Sequence, residues 1–213
     1  NSEVELDEIT GTLDLTEVSS LVSTDPHDPR RPLFGTVTDV YGEAAMPDSV
    51  EFKIQSGIAP DWLAFGSVKW VDWSQLQSVV FCPTSTKGVI DCNSTSPARA
   101  TSLDLLYRDG WTVSAGVGHK FNDQWSGAAS IAWDAGTSTG LGTQTDTWTF
   151  SGGAAWTPNQ NVEVRFGGAL GVLTSGSSGI VVGEDGVTYG DDVSYDFGND
   201  LVAAISASAK IRW

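Results

Sequence analysis

The side chains able to do chemistry are scattered, and their spacing suits binding better than catalysis. His27 and His119 are isolated, and no Ser/His/Asp or paired-carboxylate arrangement stands out around them. His119 falls at the end of a strand-like run, where a polar end residue is its ordinary role. Cys82 and Cys92 bracket FCPTSTKGVIDC with Pro83 and Gly88 between them, a close pair suited to a disulfide in an oxidising compartment. A metal centre would want further ligands beside them, and none is near, so neither a metal nor a cofactor is expected. Glu184, Asp185, Asp191, Asp192, Asp196 and Asp200 form an acidic stretch whose oxygens suit Ca²⁺, but without EF-hand spacing they read first as solvated surface. Glu51, Lys53, Lys69, Asp104, Arg108, Glu163, Arg165, Lys210 and Arg212 each interrupt the small-residue parity of a strand-like segment. Such charges either pair internally and fix register or present a cation to a carboxylate ligand; Arg108 and Arg165 are the candidates for the second role.

The elements that must position these residues alternate with a period of two. From Tyr107 to Asp134 the chain reads YRDGWTVSAGVGHKFNDQWSGAASIAWD, two alternating runs joined at Asn122-Asp123. Tyr107, Trp111, Val113, Ala115, Val117 and Phe121 share one parity before the turn. Trp125, Ala129, Ile131 and Trp133 share one after it, against Ser126, Ala128, Ser130 and Ala132. This predicts a β-hairpin with one apolar face and one small or polar face. Trp125 and Trp133 lie eight residues apart on the apolar face, a spacing repeated by Trp148 and Trp156 and by Trp62 and Trp70. Eight residues at ~3.3 Å each rise ~26 Å along a strand. A tilt of ~40° leaves ~20 Å, close to the ~25 Å apolar band between the aromatic girdles of an outer-membrane barrel. A soluble sandwich would put its largest residues mid-strand, whereas Ala, Gly, Val and Ile hold the middles here. The expected fold is all-β: an antiparallel transmembrane β-barrel whose girdle residues Trp62, Trp70, Trp111, Trp125, Trp133, Trp148, Trp156 and Trp213 face outer-membrane lipid.

Taken in order, the chain offers about eight strands, at 3–11, 47–58, 62–81, 102–121, 124–134, 145–157, 160–173 and 195–213. A bulge is expected near Val71-Asp72-Trp73, where the third of these loses phase. Within the connection 12–45, Leu15, Val18, Leu21 and Val22 have helical spacing, followed by the breaker DPHDPRRP. Long connections at 12–45, 82–101, 135–144 and 174–194 alternate with tight turns at 59–61, Asn122-Asp123 and Pro158-Asn159, the asymmetry of outer loops and periplasmic turns. Apolar runs span only a few residues, so no transmembrane helix is expected. The 213 residues fit a single β-barrel domain, 1–213, or a large piece of one, and Asn1 opens no signal-peptide pattern, so a processed chain or a fragment is expected. Eleven basic against 27 acidic residues give a net charge of −16, unfit for a nucleic-acid partner.

The face opposite the tryptophans is small: Ser126, Ala128, Ser130, Ala132, Ser151, Gly153, Ala155, Gly167, Ala169, Ser206 and Ser208. Eight-stranded barrels are filled by their own side chains, and these would leave voids. A wider barrel is implied, holding water, a plug or a ligand, with this chain as part of its wall.

Several segments resemble the FadL-type family of outer-membrane transporters for long-chain fatty acids and other hydrophobic compounds. They are Pro47-Asp48-Ser49-Val50-Glu51, the run from Trp62 through Val68-Lys69-Trp70 to Asp72-Trp73-Ser74-Gln75, the turn Asn122-Asp123-Gln124-Trp125 and the terminal Trp213. The likeness covers residues 46–213. It implies a fourteen-stranded barrel of which this chain supplies the C-terminal strands, the N-terminal hatch and early strands lying outside it. It also implies passive transport, without enzyme activity: a hydrophobic small molecule is captured at the outer loops and passed through the lumen. Loop 12–45 would then form part of an entry groove, with Leu15, Val18, Leu21, Val22, Leu33 and Phe34 as its apolar residues. The aromatic terminus would be read by the barrel-insertion machinery during biogenesis. Two other readings share the same residues: a complete small structural or adhesive barrel, with 3–11 closing on 199–213, and a barrel-embedded hydrolase.

Overall fold

The computed structural model describes residues 4–18, 30–190 and 193–212; Leu21, Val22, His27, Asp191, Asp192 and Trp213 lie outside them. The strands are β1 (Val4–Asp14), β2 (Val37–Met46), β3 (Ser49–Ala59), β4 (Trp62–Val71), β5 (Ser78–Pro83), β6 (Thr101–Asp104), β7 (Gly110–Lys120), β8 (Trp125–Asp134), β9 (Thr147–Asn159) and β10 (Val162–Leu173). After them come the short β11 (Gly176–Ser178), β12 (Val181–Val182), β13 (Thr188–Tyr189) and β14 (Tyr195–Phe197), then the long β15 (Asp200–Ile211). No described helix is long and apolar enough to cross a membrane.

Seven long strands form one antiparallel sheet in the order β15-β10-β9-β8-β7-β4-β3. Its register keeps parity from strand to strand: Trp70 lies opposite Trp111, Trp133 opposite Trp148, and Trp125 opposite Trp156. The same alignment sets Val68 beside Val113, Ile131 beside Phe150, and Leu170 beside Phe150 and Ala203. Most large apolar positions, the tryptophans among them, therefore fall on one face; Leu63, Phe65 and Val202 fall on the other. The tryptophan-bearing face is not a core, because Phe52 is 67% exposed, Phe166 51% and Ile205 94%. Trp62, Trp125 and Trp156 ring its turn end; Trp70, Trp111, Trp133 and Trp148 ring its loop end. Tryptophans thus stand in two rows, one at each end of the sheet.

Local chemistry closes the turn end. Asn122 Oδ1 accepts the backbone N–H groups of Gln124 and Trp125, and Asn159 Oδ1 those of Asn161 and Val162. The β3–β4 turn holds Asp61 in the left-handed region at φ 64°. Long connections leave only from the opposite end.

At that end the structure departs from expectation. The expected strand 62–81 is two strands, β4 and β5, parted by a 3-10 turn at Trp73–Gln75 rather than by a bulge. Asp72 drives the break, accepting Ser74 Oγ at 2.6 Å and Gln75 Nε2 at 2.9 Å. The expected strand 102–121 is likewise β6 and β7, separated where Leu106 turns left-handed at φ 48°. The connection 12–45 hides β2, and its described 15–18 portion is a turn without helix. Strand 195–213 divides into β14, paired with β11, and β15, paired with β10.

β1, β2, β5 and β6 make a second sheet in that order. β2 leads into β3, β4 into β5, and β6 into β7, so this outer sheet stands beyond the loop end of the long one. Its small core gathers Tyr41, Val80 and Cys82, with Cys92 and Ala98 packed against them. The Cys82–Cys92 disulfide forms inside that core. Because β1 pairs with β2, it does not close on β15, and the long sheet remains open at β3 and β15 among the described residues.

The face assignment makes an asymmetric prediction for adjacent residues of β8. Ala129→Arg should destabilise the folded barrel by ~2–4 kcal/mol, whereas Ser130→Arg should be nearly neutral. Urea titration in lipid vesicles measures both, and equal costs would refute the assignment.

Candidate functional site

The face opposite the tryptophans carries the candidate path. Its middle is bare: Ser114, Gly116 and Gly118 on β7 lie beside Ala132, Ser130 and Ala128 on β8, which lie beside Thr149, Ser151 and Gly153 on β9. Ser67 and Ser114 hydroxyls share a hydrogen bond of 2.9 Å across β4 and β7. Charge sits at two corners. Glu51 and Lys53 pair at 3.1 Å on the edge strand β3, with Lys69 opposite Glu51. Toward the turn end of β10, Arg165 bonds Glu163, and Arg212 approaches the same carboxylate at 4.0 Å. Lys210 stands opposite Glu163 on β15. Register fixing thus accounts for Glu163, while the Arg165 side chain keeps 67% exposure toward the open face.

Two charges assigned to this face from sequence stand elsewhere. Asp104 belongs to β6 of the outer sheet and accepts Ser78 Oγ at 2.6 Å. Arg108 lies in the β6–β7 link, because the strand expected to carry it ends at Asp104. There its Nε donates to Gly136 O at 2.9 Å and its backbone N–H to Thr137 O at 2.9 Å.

Arg108 lines a cleft of about 440 Å³ together with Leu106, Tyr107, Val181, Val182 and Thr139. An adjoining cleft of about 340 Å³ shares Gln77, Leu106 and Glu184 with it and reaches Cys92 and Glu43. The β12–β13 hairpin supplies Glu184 to both. It is fastened by Tyr189, 4% exposed, whose hydroxyl donates to Asp185 Oδ2 at 2.6 Å. Asp185 also accepts the Val187 N–H at 3.0 Å. Burial and this carboxylate push the Tyr189 phenol up to about 12. Partial burial works to raise Asp185, but hydrogen bonds from Ser94, Tyr189 and Val187 prevail and lower it. Asp185 is thus tied into the loop, while among the described residues no group of three or more His, Cys, Asp or Glu side chains could hold a metal.

The expected groove residues are partly assembled. Leu15 donates its N–H to Thr36 O and accepts that of Gly35, which sets Leu15 and Val18 beside Leu33 and Phe34, all half-buried. None of the four lines either outer cleft. His119 is the penultimate residue of β7, its Nδ1 3.0 Å from Asp61 O and its ring stacked on Trp62 at 4.2 Å.

The loop-end girdle also has a polar role that sequence reasoning missed. Trp70 Nε1 donates to Asp109 Oδ2 at 3.0 Å, and Trp133 Nε1 to Asp146 Oδ2 at 3.0 Å. Asp146 in turn accepts the Gly136 N–H, and Gly136 O holds Arg108. The signal was an aspartate within two residues of Trp111 and Trp148 at the same strand ends.

Residues 28–207 match the sequence model of the family described as outer membrane protein transport protein (OMPP1/FadL/TodX). This chain belongs to that family. It is accordingly a bacterial outer-membrane β-barrel chain. A Pseudomonas aeruginosa FadL homologue of known crystal structure superposes with a TM-score of 0.67 at 14% identity, over 99% of this chain and 47% of that one. The Ralstonia pickettii toluene transporter TbuX gives 0.48 at 17%, over 82% and 36%. The P. putida toluene transporter TodX gives 0.47 at 13%, over 83% and 37%. The chain thus spans about half the length of the FadL homologue. No curated protein sequence matches it.

The Tyr189–Asp185 clasp sets a pH dependence for the outer hairpin. A raised phenol contributes stability that is complete below its unfolded value of 10.0 and is lost as pH rises through about 12. Ultraviolet titration of the four tyrosines should therefore show one late phenolate, absent from Tyr189→Phe. At the acid end, the lowered Asp185 contributes stability above 3.8 that is lost as pH falls through its folded value.

Proposed function

We propose that this chain forms part of the wall and outer mouth of a passive conduit for hydrophobic small molecules, long-chain fatty acids or aromatic hydrocarbons among them. The bareness of the lumen face carries this reading. On the middle strands β7, β8 and β9 the inner wall is almost wholly Gly, Ala, Ser and Thr, which leaves room that a self-filled barrel would not have. Capture begins outside, where Leu15, Val18, Leu33 and Phe34, with Leu21 and Val22 of the same connection, supply apolar surface. Burial of the ligand there is worth ~25 cal/mol per Å². Arg108 stands in a separate outer cleft with Leu106, Tyr107, Val181 and Val182. Near the periplasmic end Arg165 and Arg212 face the single carboxylate of Glu163, an excess of positive charge suited to a fatty-acid headgroup. The outer-membrane lipid and the barrel-insertion machinery complete the partners of this reading. It needs no cofactor and no covalent step.

Cells whose own uptake has been disabled, expressing this protein in the outer membrane, should take up radiolabelled palmitate and toluene several-fold faster than vector controls. Equal rates for both ligands would overturn the proposal. Arg165→Ala should slow palmitate uptake and leave toluene uptake unchanged, since only the former carries a charge.

A further inference from the structure

On the tryptophan-bearing face of the long sheet, just inside the turn end, the chain leaves a notch of about 310 Å³. Its walls are aromatic. Trp62 stacks on His119 at 4.2 Å, and Phe121 makes a T-shaped contact with the same imidazole at 5.0 Å. Its floor is small, because His119 lies opposite Gly127, Gly127 opposite Ala154, and Val117 opposite Ala129. A Cβ on Gly127 would stand 2.9 Å from Phe121 Cε2, so glycine there lets the ring lean over β8 and close one side. Gly127 and Ala129 follow Trp125 by two and four residues, or ~7 and ~13 Å along the strand. The floor thus runs from the aromatic row into the apolar band.

The aromatic end holds two polar groups without a protein partner. His119 Nδ1 lies 3.0 Å from Asp61 O, a pure acceptor, so Nδ1 donates and Nε2 of the neutral ring keeps its lone pair. At the loop end the indoles of Trp70 and Trp133 donate to Asp109 and Asp146, but Trp62 Nε1 has no acceptor among the described residues. The two adjoining turns carry Asp61 and Asp123 against Lys120, and Asp123 holds Lys120 at 2.7 Å, which leaves one carboxylate in excess. A fitting ligand has an apolar tail for the floor, an acceptor oxygen for the indole and a positively charged N–H donor for the imidazole. The ring faces beside that donor favour a cation further. In outer-membrane barrels the aromatic-bounded face meets the bilayer, and the short turns lie on the periplasmic side. We infer that this notch binds one phospholipid of the periplasmic leaflet, with a headgroup that ends in a primary ammonium. Its acyl chain lies over Gly127, Ala129 and Ala154, its phosphate or ester oxygens accept from Trp62 Nε1, and its ammonium donates to His119 Nε2. The site is on the opposite face from the conduit and does not depend on what passes through it.

The test uses the purified full-length protein in detergent micelles, with bound lipid counted by native mass spectrometry. Phosphatidylethanolamine, phosphatidylcholine and phosphatidylglycerol of identical chains are titrated in. Phosphatidylcholine keeps the positive charge but has no N–H, and phosphatidylglycerol lacks the positive charge. One phosphatidylethanolamine should bind per chain, roughly three- to tenfold more tightly than phosphatidylcholine, with phosphatidylglycerol weaker still. His119→Phe keeps an aromatic ring and removes Nε2, so it should lower phosphatidylethanolamine to the level of phosphatidylcholine. Ala154→Leu fills the floor and should weaken all three lipids by a similar factor. The variants act on headgroup and chain separately, so if one fails to fold the other still decides. Equal affinities of the wild type for the three headgroups overturn the inference. So does a phosphatidylethanolamine preference that survives both substitutions at full affinity, because the lipid then sits elsewhere. A dimer of the wild type that Ala154→Leu dissociates also overturns it, since a second copy of the chain would then occupy the notch.

Discussion

A strand has two faces, and a residue's position along the chain decides which one it occupies. In this protein seven strands keep that parity in register with one another, so that the tryptophan-bearing side of the sheet stays apart from the small-residue side. A slip of one residue in any strand would turn a tryptophan girdle into the lumen and serines into lipid. Within hydrocarbon no backbone group can go unpaired without a cost of several kcal/mol, so the ladder cannot loosen to relieve a misfit. The small residues along the lumen follow from the same arrangement: with stability supplied by the ladder and the lipid face, the inner face need not pack.

At the loop end the constraint changes from hydrocarbon to interface. The indole N–H groups of Trp70 and Trp133 reach the carboxylates of Asp109 and Asp146, and those aspartates stand at the points where the chain leaves the wall. These tryptophans therefore fasten the outer connections to the ends of the long strands. Through Asp146 and Gly136 the fastening extends to Arg108, which adds hydrogen bonds to the covalent link between the wall and the outer cleft.

Alternation, turn residues and tryptophan spacing were local signals, and the elements that depend on them stand where the sequence put them. Asn122 and the pairs Trp125/Trp133 and Trp148/Trp156 are examples. The strand breaks were not local in this sense. Residues on both sides of Asp72 favour strand, and the break comes from hydrogen bonds to Ser74 and Gln75 and from the departure of β5 toward β2. β2 was hidden because its partners, β1 and β5, lie far away on either side in sequence. Arg108 was misplaced for the same reason: its apparent parity continued through Leu106, whose left-handed backbone ends the alternation. The outer clefts could not be read at all, being assembled from the β6–β7 link and the β12–β13 hairpin, more than seventy residues apart.

Wall and outer sheet share no ladder. They are joined covalently where β2 runs into β3, β4 into β5 and β6 into β7, and the disulfide lies wholly on the outer side of these crossings. A load applied to the outer sheet would reach the long strands through three single peptide segments and the hydrogen bonds beside them, with no shared ladder to carry it. Substitutions that reshape the outer sheet are similarly insulated from the register of the long strands.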